Sequence, residues 1–373
     1  MRLLILSSKT GGGHEMRASA ISDISSSLGI KTQVIRPLEE GSSIDKFGSN
    51  LYNWIQKFYP RLHKIYFHFL EIASLHHKSS MIFSVKNYEK KILEFSPDLV
   101  ISVHAHLNHG FRDIICENIK LPNVPKFVVC CGELSNGSGF SNHWVNPKID
   151  EFWCPFEDSL NAAVSRGMPF QKSFVVGPLL REPFYSIPSK KEIDDFILKY
   201  RLKKDLGICL LGTGANGVQN HIKAIRSLRQ SSYKGQIFAL CGNNGKLQSK
   251  LIEQNQYNSL IIRPVGRLCA KEMSVLMHLS SWIYGRPGAG LTTEALVANR
   301  SMVFDTNKGV MPQEENNLNF WRDNCQKLTI ANGPRELGLL CKQTMPPFKT
   351  RKSFSTKLIA EKLLSLKNQI DAN

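Results

Sequence analysis

Short apolar runs alternate with helical patterns along most of the chain, and this order constrains the fold more than any other feature. The runs are apolar throughout, which is typical of strands buried on both faces of a parallel sheet. Strands joined by helices in this way predict an α/β fold. The runs cover residues 3–6, 32–35, 99–103, 127–131 and 174–176 in the first half, and 208–211, 236–240, 260–263, 282–284 and 302–305 in the second.

The two sets of strands are separated by residues 177–207, and 373 residues are too many for one ordinary core. The sequence therefore predicts two doubly wound domains. We expect an N-terminal domain over residues 1–180, a proline-containing, charged linker over 181–206 and a C-terminal domain over 207–350. A helical segment at 351–373 is expected to pack back onto the first domain. Doubly wound sheets bind ligands at the carboxyl ends of their strands, so a cleft between the domains is the expected site.

The second domain carries a strand, a glycine turn and a helix in succession. Residues 282–284 suit a buried strand, Gly288 and Gly290 permit a tight turn, and a helix should follow. A turn that ends at a helix N-terminus attracts an anion, and Arg286 adds a full charge beside it. Glu294, one turn into the helix, could accept hydrogen bonds from vicinal hydroxyls. The combination suggests a sugar nucleotide; an ordinary βα turn with a surface glutamate is the alternative.

A glycine-rich loop directly follows the first strand. Gly11, Gly12 and Gly13 precede His14 and let a ligand approach the backbone. An imidazole titrates near neutrality, so His14 could take a proton from an attacking hydroxyl. A histidine that only caps the helix or lies at the surface is the alternative.

Other cofactor patterns are absent or incomplete in the sequence. Gly212 and Gly217 belong to a G-x-G-x-x-G pattern, but no acidic residue between 217 and 253 could hold the ribose of a dinucleotide. The sequence has no P-loop and no two aspartates two residues apart that would hold Mg²⁺. A nicotinamide site and a nucleoside triphosphatase are therefore disfavoured, and the loop at Gly212 is interpreted as phosphate-contacting or flexible. Nine cysteines without a Cys-x-x-Cys pair predict reduced core residues.

Charge and one amphipathic segment point to an anionic surface. The formal net charge of +17 should attract polyanions. Residues 51–73 (Leu51 to Ala73) combine helical apolar spacing with basic and aromatic side chains, which suits docking on anionic lipid headgroups. Helices packed on their own domain are the alternative, and nucleic acid is not expected because no binding module is recognised. No apolar run approaches the roughly 18–20 residues that span a bilayer.

Several of these motifs, in this order, resemble a family of glycosyltransferases. The family is glycosyltransferase family 28, which includes monogalactosyldiacylglycerol synthases, diacylglycerol glucosyltransferases and, more distantly, enzymes of the MurG type. Residues 9–14 with the Arg-Ala-Ser-Ala run at 17–20 are similar to its glycine-histidine loop and following helix. Further resemblances are to the end of its acceptor domain (residues 144–147, 152–155 and 176–184), its nucleotide-binding turn (286–295) and its sugar contact (312–317).

The resemblance implies a GT-B fold, two Rossmann-like domains facing a central cleft, and metal-independent inverting transfer from a UDP-sugar to a membrane lipid. The UDP-sugar is a co-substrate, and no cofactor is implied. We expect a cytoplasmic protein bound peripherally to the inner face of a membrane. The residues expected to bind the donor diphosphate and ribose are Gly212, Arg286, Gly288, Ala289, Gly290 and Glu294. Those expected near the sugar are Gln313, Glu314 and Asn317, and those expected to activate the acceptor hydroxyl are His14 and Glu133, beside the loop of Gly11, Gly12 and Gly13.

The chain departs from the family pattern near the expected site. Glu15 and Met16 interrupt the first motif, Glu133 replaces an aspartate, Leu291 stands where threonine is common, and Pro312 replaces a glycine. The resulting hypothesis is transfer of a hexose from UDP-galactose or UDP-glucose to diacylglycerol or a similar lipid. The alternatives are transfer of N-acetylglucosamine or another sugar to a polyprenyl-linked or lipopolysaccharide precursor, and an inactive sensor of sugar nucleotides or membranes.

Overall fold

A computed structural model describes most of the chain as two compact units. The described residues are 1–9, 12–40, 71, 78–79, 82, 85–212, 220–255, 260–307, 309–343 and 345–372. The first unit comprises Met1–Arg181, Met311–Asn316 and Ser355–Asn373, and the second comprises Glu182–Val310 and Asn317–Phe354. Gly11 and, apart from Glu71, the expected membrane-docking segment 51–73 lie outside the described residues.

The described part of the first unit contains one parallel sheet of six strands. They are Arg2–Leu6 (β1), Lys31–Ile35 (β2), Leu99–Ser102 (β3), Lys126–Cys130 (β4), Glu151–Cys154 (β5) and Ser173–Val175 (β6). Their order is β2-β1-β3-β4-β5-β6, so β1 pairs with β2 on one side and with β3 on the other. The chain therefore reverses direction across the sheet between β1 and β3, which is where such sheets form a binding crevice.

The second unit has the same architecture in its described residues. Its parallel strands are Ile208–Leu211 (β7), Gln236–Leu240 (β8), Ile262–Val265 (β9), Ser280–Gly285 (β10), Ser301–Asp305 (β11) and Thr329–Ala331 (β12). The order is β12-β11-β10-β7-β8-β9. The corresponding switch point lies between β7 and β10, whose carboxyl ends lead into Gly212 and Arg286.

Helices cover both sheets and bury their apolar faces. Alternate residues of one strand enter different cores: Leu4 and Leu6 pack on one face of the first sheet, and Leu3 and Ile5 on the other. The longer helices of the first unit are Gly12–Ser27, Val85–Phe95, Glu157–Val164 and Lys357–Asp371. Those of the second unit are Lys190–Tyr200, His221–Gln230, Gly245–Asn255, Ala270–Leu279 and Ala289–Val297, and Pro312–Asn324 begins in the first unit and ends in the second. Shorter helices are Pro37–Glu40, Gly110–Asp113 and Leu337–Leu340.

The predicted α/β fold with two doubly wound sheets is confirmed, and the segment expected as a linker contains a helix. Residues 190–200 form a helix that begins with a capping box between Ser189 and Glu192. Its Phe196 and Tyr200 rings lie 5.7 and 5.0 Å from the ring of Phe238 on β8. The segment is therefore folded onto the second unit, because its apolar face has an aromatic core residue to pack against.

The helix Lys357–Asp371 belongs to the first unit. Ile359, Leu363 and Leu366 are buried in the same core cluster as Ile21 of the helix Gly12–Ser27. Lys362 reinforces this packing, since its ammonium lies 3.1 Å from the Glu151 carboxylate. The helical apolar spacing at the C-terminus is therefore explained by a docking surface on the first helix.

Candidate active site

His14 lies at the switch point of the first sheet. The helix that follows β1 begins at Gly12, so Gly12, Gly13 and His14 form its first turn. The Nδ1 atom of His14 is 2.7 Å from the carbonyl oxygen of Val103, which directly follows β3. The same Nδ1 atom also faces the Arg17 guanidinium, which only donates, so the two contacts are hydrogen bonds in different neutral tautomers of the imidazole.

The two residues that interrupt the family motif are part of this helix. Glu15 and Met16 lie within Gly12–Ser27, and the helix continues through them without a break. The Glu15 carboxylate receives two hydrogen bonds of 2.8 Å from the Arg36 guanidinium and one of 3.1 Å from the Ser7 hydroxyl. Glu15 thus ties the start of the helix to the ends of β1 and β2.

Arg17 is a buried cation beside His14. Its side chain is 6% exposed, and its Nη2 atom lies 2.9 Å from His14 Nδ1 and 3.4 Å from the Val103 carbonyl oxygen. A Cβ atom built on Gly132 would lie 1.9 Å from Arg17 Nη1 and 2.1 Å from its Cζ. The missing side chain at 132 therefore creates the space that the guanidinium occupies. The sequence showed Arg17 only as part of a motif and gave no signal for this contact.

The surroundings of His14 keep its imidazole neutral. The pKa of His14 is lowered from 6.5 to about 3, first by burial and then by the charge of Arg17, while the hydrogen bond to Val103 opposes both effects. Desolvation disfavours the charged form of a histidine, as does a neighbouring cation. At neutral pH the ring is therefore a hydrogen-bonding group rather than a charge.

Glu133 follows β4, and its carboxyl titrates near neutrality. Its Oε1 atom accepts a hydrogen bond of 3.3 Å from Trp144 Nε1. Burial raises the pKa of Glu133 from 4.5 to about 7, against the lowering effects of the Arg17 charge and the Trp144 hydrogen bond. A general base is most effective when its pKa lies near the working pH, so Glu133 is better matched to proton abstraction than His14.

Histidines extend from this site in a row of ring contacts. The ring of His14 lies 4.4 Å from that of His104, His104 lies 5.7 Å from His106, and His106 lies 4.4 Å from His143. His143 Nε2 is 3.8 Å from a carboxylate oxygen of Glu71. Within the described ranges, no group of three or more histidine, cysteine, aspartate or glutamate side chains is arranged to hold a metal ion.

Gln313 and Glu314 lie in the part of helix Pro312–Asn324 that belongs to the first unit. Glu314 is 3% exposed, and its Oε2 atom accepts a hydrogen bond of 3.0 Å from the Met311 N–H, which stabilises the helix start. The Oε1 atom of Gln313 is buried and has no hydrogen-bond partner among the described residues. A buried acceptor without a partner is costly, so this oxygen is a candidate ligand for a hydroxyl.

The predicted anion site is a helix N-terminus in the second unit. The helix Ala289–Val297 begins after Gly288, which has no side chain to cap the first turn, and Gly290 lies within that turn. Glu294 belongs to the same helix and is 8% exposed. The turn and the carboxylate expected to bind diphosphate and ribose are thus carried by one helix.

Gly212 serves a packing contact within the second unit. A Cβ atom on Gly212 would lie 2.7 Å from Leu291 Cδ2, and one on Gly285 would lie 2.5 Å from the same atom. The Gly212 N–H also donates a hydrogen bond of 2.7 Å to the Tyr284 carbonyl. Two glycines at the ends of β7 and β10 therefore accommodate Leu291.

Asn317 and Arg286 support the turn from either side. Asn317 is 1% exposed and donates a hydrogen bond of 2.8 Å from Nδ2 to the Pro287 carbonyl. The Arg286 guanidinium donates to the carbonyls of Asn307 at 2.9 Å and Gly309 at 2.7 Å. Arg286 thus shapes the loop after β11, a role that the sequence did not indicate.

If this turn binds the diphosphate as the sequence leads us to expect, Arg286→Lys should weaken UDP binding, because the loop that Arg286 holds is loosened. Lysine keeps the charge but cannot span two carbonyls with a rigid fork. Losing one such bond costs about 1 kcal/mol, so we expect the UDP affinity to fall by about five- to tenfold and amide exchange in residues 306–311 to accelerate. Calorimetry and hydrogen exchange measure these effects. Arg322→Lys, at an exposed position, is the matched control; unchanged affinity and exchange in Arg286→Lys would contradict the prediction.

Known proteins similar to this chain include a galactolipid synthase and a diacylglycerol glucosyltransferase. No protein-family model matches the chain. The chain is 25% identical over 343 residues to monogalactosyldiacylglycerol synthase 2, chloroplastic, of Arabidopsis thaliana, a match that covers 86% of this chain and 69% of that protein. It is 21% identical over 310 residues to the processive diacylglycerol beta-glucosyltransferase of Bacillus cytotoxicus, covering 79% and 73%. The resemblance predicted from the motifs is confirmed.

Solved structures share the fold over nearly the whole chain. The UDP-GlcNAc 2-epimerase of Methanocaldococcus jannaschii has a TM-score of 0.57 at 12% identity and covers 99% of this chain and 100% of its own. MurG of Acinetobacter baumannii has a TM-score of 0.51 at 13% identity, covering 98% and 94%. The fold is therefore GT-B, as predicted.

Proposed function

We propose that this chain moves a hexose from UDP-galactose or UDP-glucose to diacylglycerol or a similar membrane lipid. It is a UDP-sugar-dependent GT-B glycosyltransferase similar to the monogalactosyldiacylglycerol synthases and diacylglycerol glucosyltransferases. The observation that carries the proposal is Glu133, a carboxyl with a pKa near neutrality that shares its surroundings with His14 and Arg17. The names of the relatives, a galactolipid synthase and a diacylglycerol glucosyltransferase, support the substrate class.

In the proposed reaction Glu133 is the base. It takes the proton of the acceptor hydroxyl, whose oxygen attacks the anomeric carbon of the sugar from the face opposite the diphosphate. The bond from that carbon to the diphosphate oxygen breaks, and UDP leaves with the electron pair of that bond. Because attack and departure take place on opposite faces, the configuration of the anomeric carbon is inverted. His14, neutral and held between the Val103 carbonyl and the Arg17 guanidinium, orients the hydroxyl through a hydrogen bond at Nε2.

On the donor side, the helix Ala289–Val297 would stabilise the charge that develops on the departing UDP. Backbone N–H groups at a helix N-terminus are already oriented and need no rearrangement during the reaction. Glu294 would accept hydrogen bonds from the ribose. Gln313 and Asn317, each with a buried oxygen that has no partner in the described part of the chain, would accept hydrogen bonds from the sugar hydroxyls.

We also propose peripheral attachment to the cytoplasmic, inner face of a membrane. No helix in the described part of the chain is both long and apolar enough to cross a bilayer. The net charge of +17 supports attraction to anionic lipid. Residues 51–73 remain the proposed docking segment.

The test is a transfer assay with the full chain. UDP-galactose, UDP-glucose and UDP-N-acetylglucosamine are each incubated with phosphatidylglycerol vesicles that contain diacylglycerol, and the lipid products are identified by mass spectrometry. We expect a monohexosyl diacylglycerol from UDP-galactose or UDP-glucose. Parallel reactions with a polyprenyl-phosphate-linked acceptor or a lipopolysaccharide precursor test the alternative acceptors, and UDP binding without turnover would indicate a sensor. Neither UDP binding nor transfer from any donor would overturn the proposal.

A further inference from the structure

The loop that carries Glu133 packs directly against the start of helix Pro312–Asn324, within the first unit. A Cβ atom on Gly139 would lie 2.3 Å from the Pro312 carbonyl carbon and 2.4 Å from the Gln313 nitrogen. Gly137 has φ of +140°, and a Cβ there would lie 2.3 Å from Asn316 Oδ1. Both positions require glycine, because the backbone of the loop touches the helix start.

Asn316 forms the polar part of this contact. It is 1% exposed, and its Oδ1 atom accepts a hydrogen bond of 3.3 Å from the Gly139 N–H. Its backbone carbonyl accepts a second bond of 3.0 Å from the Ser135 hydroxyl. Ser135 is two residues from Glu133, and Asn316 is one helical turn from Gln313. These two hydrogen bonds therefore link the loop that bears the proposed base, Glu133, to the helix turn that bears a proposed sugar contact, Gln313.

Arg166 holds the loop from its other side. Its Nη1 atom donates a hydrogen bond of 2.8 Å to Asn136 Oδ1, and its Nη2 atom donates one of 3.2 Å to the Gly137 carbonyl. The guanidinium also lies 4.9 Å from the centre of the Phe140 ring. The loop is thus held by the helix start on one side and by Arg166 on the other.

We propose that Asn316 is a positioning residue for sugar transfer, which fixes the loop that bears Glu133 against the helix turn that bears Gln313. The inference rests on the proposed function. Transfer requires the acceptor oxygen and the anomeric carbon to be about 3–3.5 Å apart and aligned, and a displacement of about 1 Å can cost 10²-fold in rate. Asn316 acts on this distance through the loop and needs no contact with the substrate.

The kinetic test compares variants that break the contact from each side. Asn316→Ala removes the acceptor for the Gly139 N–H, and Gly139→Ala forces the loop away from Gln313. We expect each to lower kcat by about ten- to a hundredfold, and to change KM for the UDP-sugar by less than about threefold, because ground-state binding is retained.

The matched control is Asn319→Ala, an asparagine on the same helix that accepts a hydrogen bond from exposed Arg322. It should retain wild-type kcat. A role in folding alone would lower the midpoint of thermal unfolding but leave kcat of the folded protein unchanged. That result, in Asn316→Ala and Gly139→Ala together, would overturn the inference.

Hydrogen exchange separates this inference from the proposed function. Asn316→Ala should accelerate amide exchange at Gly139 and its neighbours whether or not the chain turns over a sugar nucleotide. Unchanged exchange at Gly139 would overturn the inference even in an active enzyme. Accelerated exchange in a chain that transfers no sugar would support the anchoring contact while the proposed function fails.

Discussion

Replacing Glu133 with glutamine is expected to lower kcat by about 10²–10⁴-fold, the usual contribution of a general base. Glutamine has nearly the same shape, and its amide oxygen can still accept the hydrogen bond from Trp144 Nε1. The variant therefore removes proton abstraction while it preserves the packing of the loop. Steady-state transfer assays across a range of UDP-sugar concentrations measure kcat and KM separately.

The pH dependence identifies the titrating group. The pKa of Glu133 is raised to about 7, so the carboxylate that accepts a proton predominates only above that pH. We expect kcat/KM of the wild type to rise through about pH 7 and then level off, and this rise to be absent in Glu133→Gln. The pKa of His14 is about 3, so its titration adds no step near neutrality.

Glu157→Gln is the matched control, since Glu157 is an exposed carboxylate in the first turn of helix Glu157–Val164. It should retain the activity and the pH profile of the wild type. Wild-type kcat in Glu133→Gln, combined with a large loss in His14→Ala, would contradict the prediction and identify His14 as the base.

Replacing Gly132 with alanine is expected to lower kcat by about 10²-fold and the free energy of unfolding by about 1–3 kcal/mol. The new methyl group would lie 1.9 Å from Arg17 Nη1, so the guanidinium must move. Arg17 is 6% exposed and cannot swing freely into solvent. Its displacement disturbs the contact with His14 and the charge that lowers the pKa of Glu133. Urea unfolding and transfer kinetics measure the two effects.

Two comparisons make this prediction specific. Gly245→Ala adds the same methyl group at the start of helix Gly245–Asn255, where no described atom lies within 4 Å, and should leave kcat unchanged. In an Arg17→Ala background, Gly132→Ala should cause little further loss of kcat or of unfolding free energy. The two residues are in contact, so the effects of replacing them are not additive. Wild-type kcat and stability in Gly132→Ala, or fully additive losses in the double variant, would contradict the interpretation.

The strands were predictable where the sequence itself carries the signal. Residues 208–211 and 236–240 match β7 and β8 because buried parallel strands are apolar on both faces. β5 begins with charged Glu151, and β12, Thr-Ile-Ala, contains one large apolar residue, so neither is a continuous apolar run along its whole length, as β7 is. The segment expected as a linker contains the helix Lys190–Tyr200, whose Phe196 packs against Phe238, a residue far along the sequence.

The sequence by itself determined the fold class and the main motifs of the candidate site, because strand periodicity, glycine turns and helix starts are local properties. Tertiary structure alone decided how those motifs are arranged. In the folded chain Arg17 packs against Gly132, Arg286 donates hydrogen bonds to two loop carbonyls, and Asn316 accepts one from Gly139. These contacts join segments far apart in the sequence, and the pKa values of His14 and Glu133 depend on burial by many such segments. Desolvation and charge proximity arise only when the chain is folded, so no local pattern encodes them.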